Sequence, residues 1–139
     1  MHGRARALIA MVAFVAVAQG CSKSPGYAEP PASEYSIAKV DLAAPPSIET
    51  VGGATVSREF IRIAGMRPLL GRWFVDGDYQ PAGSRVAVIS SSLWRRRFSG
   101  DPTVIGRPIA LSGQNAVVVG VMPETFEFPK GTAVWLPRR

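Results

Sequence analysis

RVAVISSSLWRRRFSGDP, residues 85–102, is the stretch that decides the fold. Its opening run after Arg85 is β-branched and apolar, which predicts a buried strand, and Ser90 or Ser91 then offers the N-cap of a helix. Trp94 and Phe98 are four residues apart on that helix and therefore share one face. Gly100-Asp101-Pro102 is predicted to end the helix. The stretch predicts one strand followed directly by one short helix.

Arg95, Arg96 and Arg97 lie on the same helix and raise an alternative, a patch that binds nucleic acid or another anionic surface. Three arginines could neutralise phosphates while the flanking aromatic rings stack on bases. At 100° per residue, however, the three side chains fan over about 200° and do not form a single contact surface. We therefore expect no nucleic acid partner. Arg95 and Arg96 should project away from the aromatic face and are kept as candidate contacts for a protein partner.

The first 20 residues resemble a removable secretory signal. Two arginines precede an apolar run of 12 residues, Ala7 to Ala18, which is too short to cross a bilayer of about 30 Å as a helix. Cys21 follows in a pattern that resembles the lipobox of bacterial lipoproteins, so we predict lipidation of Cys21. Gln19 differs from the small residue usual there. An ordinary signal cleaved nearby and an uncleaved anchor therefore remain alternatives.

Part of the net charge of +6 comes from the two arginines of the predicted signal, residues 1–20. After residues 1–20, 14 basic residues stand against 10 acidic residues. A moderately basic domain outside the cytoplasm has little access to nucleic acid, whereas anionic lipid headgroups lie close by. The chain has one cysteine and so no internal disulfide.

Three segments follow from the composition: a signal over residues 1–20, a proline-rich linker over residues 21–48 and a domain over residues 49–139. The linker holds five prolines and no sustained apolar period, as expected for a semi-extended tether. Short strand-like pieces could lie at residues 35–42, but a linker is the preferred interpretation.

The rest of the domain alternates short helical and extended segments. Ser57 is predicted to cap a helix over residues 58–64, which Gly65 ends. An extended apolar segment over residues 69–74 precedes a polar loop over residues 75–84.

Two apolar runs, residues 108–111 and 116–121, flank the turn Ser112-Gly113-Gln114 and predict a β-hairpin. A last short strand covers residues 133–136, and Arg138-Arg139 are expected to be a frayed tail. The predicted fold class is α+β, a small mixed sheet with two short helices packed on one face and a β-hairpin near the C-terminus.

The residues that catalysis needs are scarce in this chain. The one histidine, His2, lies in the leader, and no His/Cys cluster has metal-ligand spacing. No GxSxG motif or phosphate-binding glycine loop occurs. We predict no enzymatic activity, no cofactor and no metal, and the sequence identifies no small-molecule substrate.

Arg72, Asp76 and Asp78 lie around a glycine-containing loop. A weak cation site is conceivable, but a solvated loop is favoured. Arg72 is expected to pair with Asp76 or Asp78 and is kept, beside Arg95 and Arg96, as a candidate partner contact. The three tryptophans could line a groove, although their spacing favours core packing.

Several short motifs follow one another between residues 51 and 137. They are Val56-Ser57-x-x-Phe60, Gly65-x-x-Pro68-Leu69-Leu70-Gly71-Arg72-x-Phe74, Arg85-Val86-Ala87-Val88-Ile89-Ser90, Leu93-Trp94-x-Arg96-Arg97-Phe98-x-Gly100-Asp101-Pro102, Ile105-Gly106-Arg107, Leu111-x-Gly113 and Val118-Val119-Gly120-Val121-Met122-Pro123. In this order and spacing they resemble the periplasmic core domain of MacB/FtsX-type ABC transporter permeases.

The resemblance implies a periplasmic α+β domain, which in a permease lies between the first two transmembrane helices. There it couples ATP-driven movement to an extracytoplasmic event, such as expelling a substrate or moving lipoproteins. This chain shows no Walker A motif and no transmembrane helix, and it resembles only the latter part of the domain. The resemblance therefore does not imply ATP hydrolysis or transport by this chain alone.

The sequence thus predicts a non-catalytic interaction module on the periplasmic side of a bacterial membrane, tethered as a lipoprotein. Its expected partner is an envelope protein, such as an ABC permease or ATPase complex. A truncated or decayed permease fragment with no independent role is one alternative. Anionic-surface or nucleic-acid binding through residues 95–97 is another.

Overall fold

A computed structural model describes residues 27–139, so the predicted signal and Cys21 lie outside the described residues. Three 3-10 turns lie at Ala32–Glu34, Asp76–Tyr79 and Pro102–Val104. The strands and helices are β1 (Tyr35–Ala44), β2 (Ser47–Val56), α1 (Arg58–Ala64), β3 (Leu70–Gly71), β4 (Val86–Ser90), α2 (Ser91–Phe98), β5 (Pro108–Leu111), β6 (Gln114–Met122) and β7 (Thr132–Pro137). The predicted α+β class is confirmed.

The sheet closes on itself. Its seven strands follow the order β3-β6-β4-β7-β2-β1-β5, and β5 also pairs with β6, so every strand except β3 belongs to a closed ring. The β2–β7 and β4–β6 pairs are parallel and the other pairs are antiparallel, which confirms the mixed sheet. Closure matters because it leaves few unpaired strand edges.

One buried cluster fills the interior of this ring. It contains side chains from all six ring strands, together with Leu93 and Phe98 of α2. A second cluster, around Phe60, Phe126 and Trp135, draws only on β2, β4, β6 and β7 among the ring strands. It therefore lies on the outer face of the sheet.

The two helices lie on opposite faces, and the prediction that both pack on one face is wrong. Strand β4 shows why, because its residues alternate between the clusters: Ala87 and Ile89 join α2 inside, whereas Val86 and Val88 join α1 outside. All five residues of β4 are buried. A strand buried on both faces gives no polar alternation from which its helices could be placed.

The interpretation of residues 21–48 as linker is wrong for residues 35–48. Strand β1 pairs with β2 along its whole length, from Tyr35 opposite Val56 to Ala44 opposite Ser47, and it also pairs with β5. The pattern is easily missed because only Val40 and Leu42 of β1 are buried. The prolines between β1 and β2 form a hairpin turn, and the domain begins well before residue 49.

The predicted helix ends are confirmed. The Ser57 hydroxyl accepts a 3.1 Å hydrogen bond from the Phe60 amide at the start of α1, and the Ser90 hydroxyl does the same for the Leu93 amide at the start of α2. Gly65 ends α1 with a φ of 61°. Within residues 27–139 the α-helices are 7 and 8 residues long, and no helix there could span a membrane.

The β-hairpin near the C-terminus is also confirmed. Strands β5 and β6 pair from Leu111 opposite Gln114 to Pro108 opposite Val117. The two residues of the turn, Ser112 and Gly113, have φ values of 47° and 79°. Both are left-handed, which matches the twist of the flanking strands.

Candidate functional site

The three arginines of α2 lie close to two acids from other elements. We call Glu49, Arg95, Arg96, Arg97 and Glu124 the α2 surface. Arg95 Nη1 lies 3.1 Å from Glu124 Oε1, and Arg97 Nε lies 3.5 Å from Glu49 Oε2. Arg96 also pairs with Glu49. Each of the three arginines therefore has a carboxylate neighbour within the chain.

Arg97 differs from its two neighbours because its side chain is only 10% exposed. Its guanidinium donates hydrogen bonds to the carbonyl oxygens of Ala44 and Ser47, at the turn between β1 and β2. Arg97 therefore fastens α2 to that turn. Arg95 and Arg96 are 54% and 50% exposed. These two side chains project away from the inward aromatic face, as predicted. Of the three arginines, they are the two that are accessible to a partner.

This geometry disfavours nucleic-acid binding through residues 95–97. One of the three guanidiniums is committed to the turn and the other two are paired with carboxylates. At most two of the three guanidiniums are therefore open to phosphate, which leaves few contacts for counterion release to favour. Trp94 is not free to stack on a base either, since its indole N–H donates a 2.9 Å hydrogen bond to the Asp101 carbonyl.

Arg72 lies apart from the α2 surface and makes no hydrogen bond or ion pair to it in the described part of the chain. It pairs with Asp78 as predicted, with 2.7 Å between Arg72 Nη1 and Asp78 Oδ2. Asp76 instead pairs with Arg58, at 3.1 Å on the surface. Both acids of this loop are engaged in ion pairs, and residues 27–139 hold no cluster of metal-ligating side chains.

The three tryptophans serve the core. The indole N–H groups of Trp73, Trp94 and Trp135 donate to the carbonyls of Met66, Asp101 and Phe128, at 2.7, 2.9 and 2.9 Å. Each bond joins residues that are seven positions apart, and the acceptor carbonyl lies in a loop in all three cases. The favoured interpretation of these residues as core is confirmed.

A small crevice at the start of α2 was not anticipated. It has a volume of about 180 Å³ and is lined by Ser91, Glu124 and Glu127, among others. The Ser91 hydroxyl is buried and has no hydrogen-bond partner within residues 27–139. Two carboxylates beside it would repel an anion, and no histidine in the described chain could activate the hydroxyl.

A larger cavity lies at the end of the ring opposite α2. We call it the mouth: a cavity of about 370 Å³ where β1 and the ends of β2 and β7 meet the starts of β4 and β6. Its lining includes the apolar residues Val40, Leu111 and Leu136. Three cations also line it: Lys39, Arg85 and Arg139.

Sequence reasoning missed the mouth because its cations come from three distant points of the chain. It also treated the last two residues as a frayed tail, and that expectation is wrong. Arg138 donates a 2.8 Å hydrogen bond to the Ser33 carbonyl, and Arg139 donates a 2.9 Å hydrogen bond to the Gly83 carbonyl. These bonds hold the C-terminal segment against both the first 3-10 turn and the loop before β4.

Comparison with solved structures gives the same fold in two transporter proteins. The extracellular domain of the noncanonic ABC-type transporter YknZ from Gram-positive bacteria matches with a TM-score of 0.62 and 18% identity, over 75% of this chain and 52% of that chain. The periplasmic region of MacB from Actinobacillus actinomycetemcomitans matches with a TM-score of 0.62 and 14% identity, over 75% of this chain and 46% of that chain.

The chain thus spans about half the length of these structures. At these identities the likeness shows the fold alone. A search of the curated proteins found no match. The family comparison is more specific, because the model of the MacB-like periplasmic core domain matches residues 24–139. That match includes β1, which sequence reasoning had assigned to a linker. On this basis, the chain belongs to the family of MacB-like periplasmic core domains.

Proposed function

We propose that this chain is a non-catalytic interaction module that works outside the cytoplasm and associates with an ABC permease or ATPase complex. The observation that carries the proposal is the family match over residues 24–139. The two solved relatives are an extracellular and a periplasmic part of ABC-type transport proteins. The periplasmic side of a bacterial membrane is therefore the proposed location.

The α2 surface is the proposed contact region. Arg95 and Arg96 are half exposed, and their ion pairs with Glu124 and Glu49 are on the protein surface, where such pairs contribute little to stability. A partner carboxylate can therefore replace the internal one at low energetic cost. Arg72 is a weaker candidate because Asp78 holds it more firmly.

The membrane tether is proposed to be a diacylglycerol on Cys21, following a signal over residues 1–20. Its support is the lipobox-like pattern of the sequence. Intact-mass analysis of the protein from membranes should show the added lipid on a chain that begins at Cys21. A Cys21→Ala variant should leave the membrane fraction or remain unprocessed, whereas an unmodified Cys21 would contradict the tether.

Co-purification tests the partner. The full chain carrying an affinity tag is recovered from detergent-solubilised membranes of its native host, and proteins bound to it are identified by mass spectrometry. We expect an ABC permease or ATPase subunit. Changing Arg95→Gln and Arg96→Gln together should reduce its recovery about ten-fold, which corresponds to about 1.4 kcal/mol.

The matched control is the pair Arg62→Gln and Arg67→Gln, which removes the same charge from exposed positions on and after α1. The control should recover as much partner as the unchanged chain. If both variants lose partner recovery equally, the loss depends on net charge and not on the α2 surface. If no permease or ATPase subunit is recovered at all, the proposed function is contradicted.

A further inference from the structure

We infer that the mouth binds a small anionic amphiphile, that is, a carboxylate or phosphate headgroup with a short alkyl chain. The inference uses only the mouth and stands whether or not the chain associates with a permease. Nothing in the family match concerns this cavity. It rests on three properties: the charge of the cavity's rim, the apolar character of its wall and its volume.

The rim is cationic. Lys39, Arg85 and Arg139 line the mouth, and no aspartate or glutamate of residues 27–139 does so. Neither Lys39 nor Arg85 makes an ion pair within the described chain. The Arg139 guanidinium donates hydrogen bonds to neutral acceptors, the carbonyl oxygens of the loop before Arg85.

Asp41, the one acid of β1, does not line the mouth. Asp41 lies two residues after Lys39, and its carboxylate accepts a 2.6 Å hydrogen bond from the Thr50 hydroxyl of β2. Its amide donates to the Ser112 hydroxyl at 3.2 Å, which secures the β5–β6 turn. No aspartate or glutamate of residues 27–139 thus lines the cavity beside these cations, and a cavity of this charge attracts anions.

The wall is apolar. Val40, Leu111 and Leu136 reach the mouth from three different strands and belong to, or pack against, the interior cluster. An alkyl chain placed there gains hydrophobic free energy with each methylene that leaves water. A small polar anion such as inorganic phosphate would leave this wall uncovered. The combination of wall and rim therefore favours an amphiphile over a simple anion.

The volume of the cavity is suited to a small ligand. Leu93 and Phe98 of α2 belong to the buried cluster that fills the interior of the ring. Its volume of about 370 Å³ is within the range of small-molecule sites. Hydrogen-bonding groups for a headgroup are present as well, since Thr55, Ser112 and Gln114 line the mouth beside the cations.

Calorimetric titration of the full chain with octyl phosphate and with octanoate tests this inference. Both should bind, and binding should weaken as salt is added. Octyltrimethylammonium has the same alkyl chain with the opposite charge and should bind at least about ten-fold more weakly, as should inorganic phosphate, which lacks the chain. Equal binding of either control would overturn the inference, and so would a failure of both anionic amphiphiles to bind.

Variants locate the site. The mouth variant, Lys39→Gln combined with Arg85→Gln, should weaken the binding of octyl phosphate about ten-fold or more. The control variant, Arg62→Gln combined with Arg67→Gln, should change that affinity less than about two-fold. These are exposed side chains, and thermal unfolding of each variant confirms that the fold is kept. Equal effects of the two variants would overturn the assignment to the mouth.

Vesicles of phosphatidylglycerol distinguish the source of the amphiphile. If the mouth variant loses co-sedimentation with vesicles that the control variant keeps, the headgroup of an embedded lipid also enters the mouth. If both variants co-sediment equally while octyl phosphate binding depends on the mouth, the ligand is a free amphiphile. Both results support the mouth as the site and differ only in where the ligand comes from.

Discussion

The Arg72 guanidinium donates a 2.7 Å hydrogen bond to the Asp78 carboxylate, which also accepts a 2.8 Å bond from the Val75 amide. This one buried carboxylate therefore joins two points of the loop that leads from β3 towards β4. The Asp78 side chain is only 11% exposed, whereas that of Asp76, two residues earlier, is 91% exposed. The two aspartates form a natural pair for comparison.

Asp78→Asn should lower the free energy of unfolding by about 1–2 kcal/mol, because the charged acceptor of two hydrogen bonds is lost. Asp76→Asn should change it by less than about 0.5 kcal/mol, since its ion pair with Arg58 is exposed. Urea denaturation of both variants provides the measurement. Equal destabilisation would show that the Arg72–Asp78 pair does not secure this loop.

Gly120 allows β3 to approach β6 closely. A Cβ atom at Gly120 would lie 2.3 Å from the Arg72 carbonyl oxygen, which is closer than real contacts allow. Gly120→Ala should therefore destabilise the fold by about 1–3 kcal/mol. Gly77→Ala is the matched control, because a Cβ atom there meets nothing within 4 Å. A Gly120→Ala variant that melts at the same temperature as Gly77→Ala would disprove this close approach.

Tyr79 should respond to alkaline pH. Burial raises the pKa of its phenol from 10.0 to about 12, against the lowering effect of the Arg58 charge. The folded state thus keeps a proton that the unfolded state releases. The stability that follows from this difference is complete below pH 10 and is lost as the pH rises towards 12.

Phenolate absorbance should reveal the late titration of Tyr79, and Tyr79→Phe should remove that step. The same variant should flatten the loss of stability above pH 10. At neutral pH the substitution should change the free energy of unfolding little, because the Tyr79 hydroxyl is buried without a hydrogen-bond partner in the described chain. Titration of all tyrosines near the ordinary value would contradict the prediction.

Unfolding of the chain should be cooperative. The interior cluster takes side chains from every strand of the ring, so no strand can leave without exposing the others. Tryptophan fluorescence reports both clusters, since Trp94 packs against the inner one and Trp135 is in the outer one. Its denaturation curve should coincide with that from far-UV circular dichroism. Separate transitions would instead favour the alternative of a decayed fragment.

Local chemistry explains what could be predicted. The caps of both helices depend on a serine and the residues within three positions of it, and the inward face of α2 depends on the spacing of Trp94 and Phe98. The Arg72–Asp78 pair and the β5–β6 hairpin also join residues close in sequence. Their interactions need no knowledge of the rest of the fold.

The missed features all depend on distant parts of the chain. Strand β1 has few buried residues of its own, and it is a strand because β2 and β5 supply its hydrogen-bond partners, with Leu42 opposite Leu111. The mouth exists only after β5 closes the ring, when Lys39, Arg85 and Arg139 meet at one end. No spacing in the sequence indicates that these three charges are neighbours.

The sequence by itself determined the helices, the hairpin, the α+β class and the family, because each follows from local hydrogen bonding, hydrophobic periodicity and the order of short motifs. Only the tertiary structure decided that the sheet closes, that α1 and α2 lie on opposite faces, and that a cationic mouth opens opposite α2. Those features come from pairing between strands far apart in the chain, which is stabilised by the buried interior they create together.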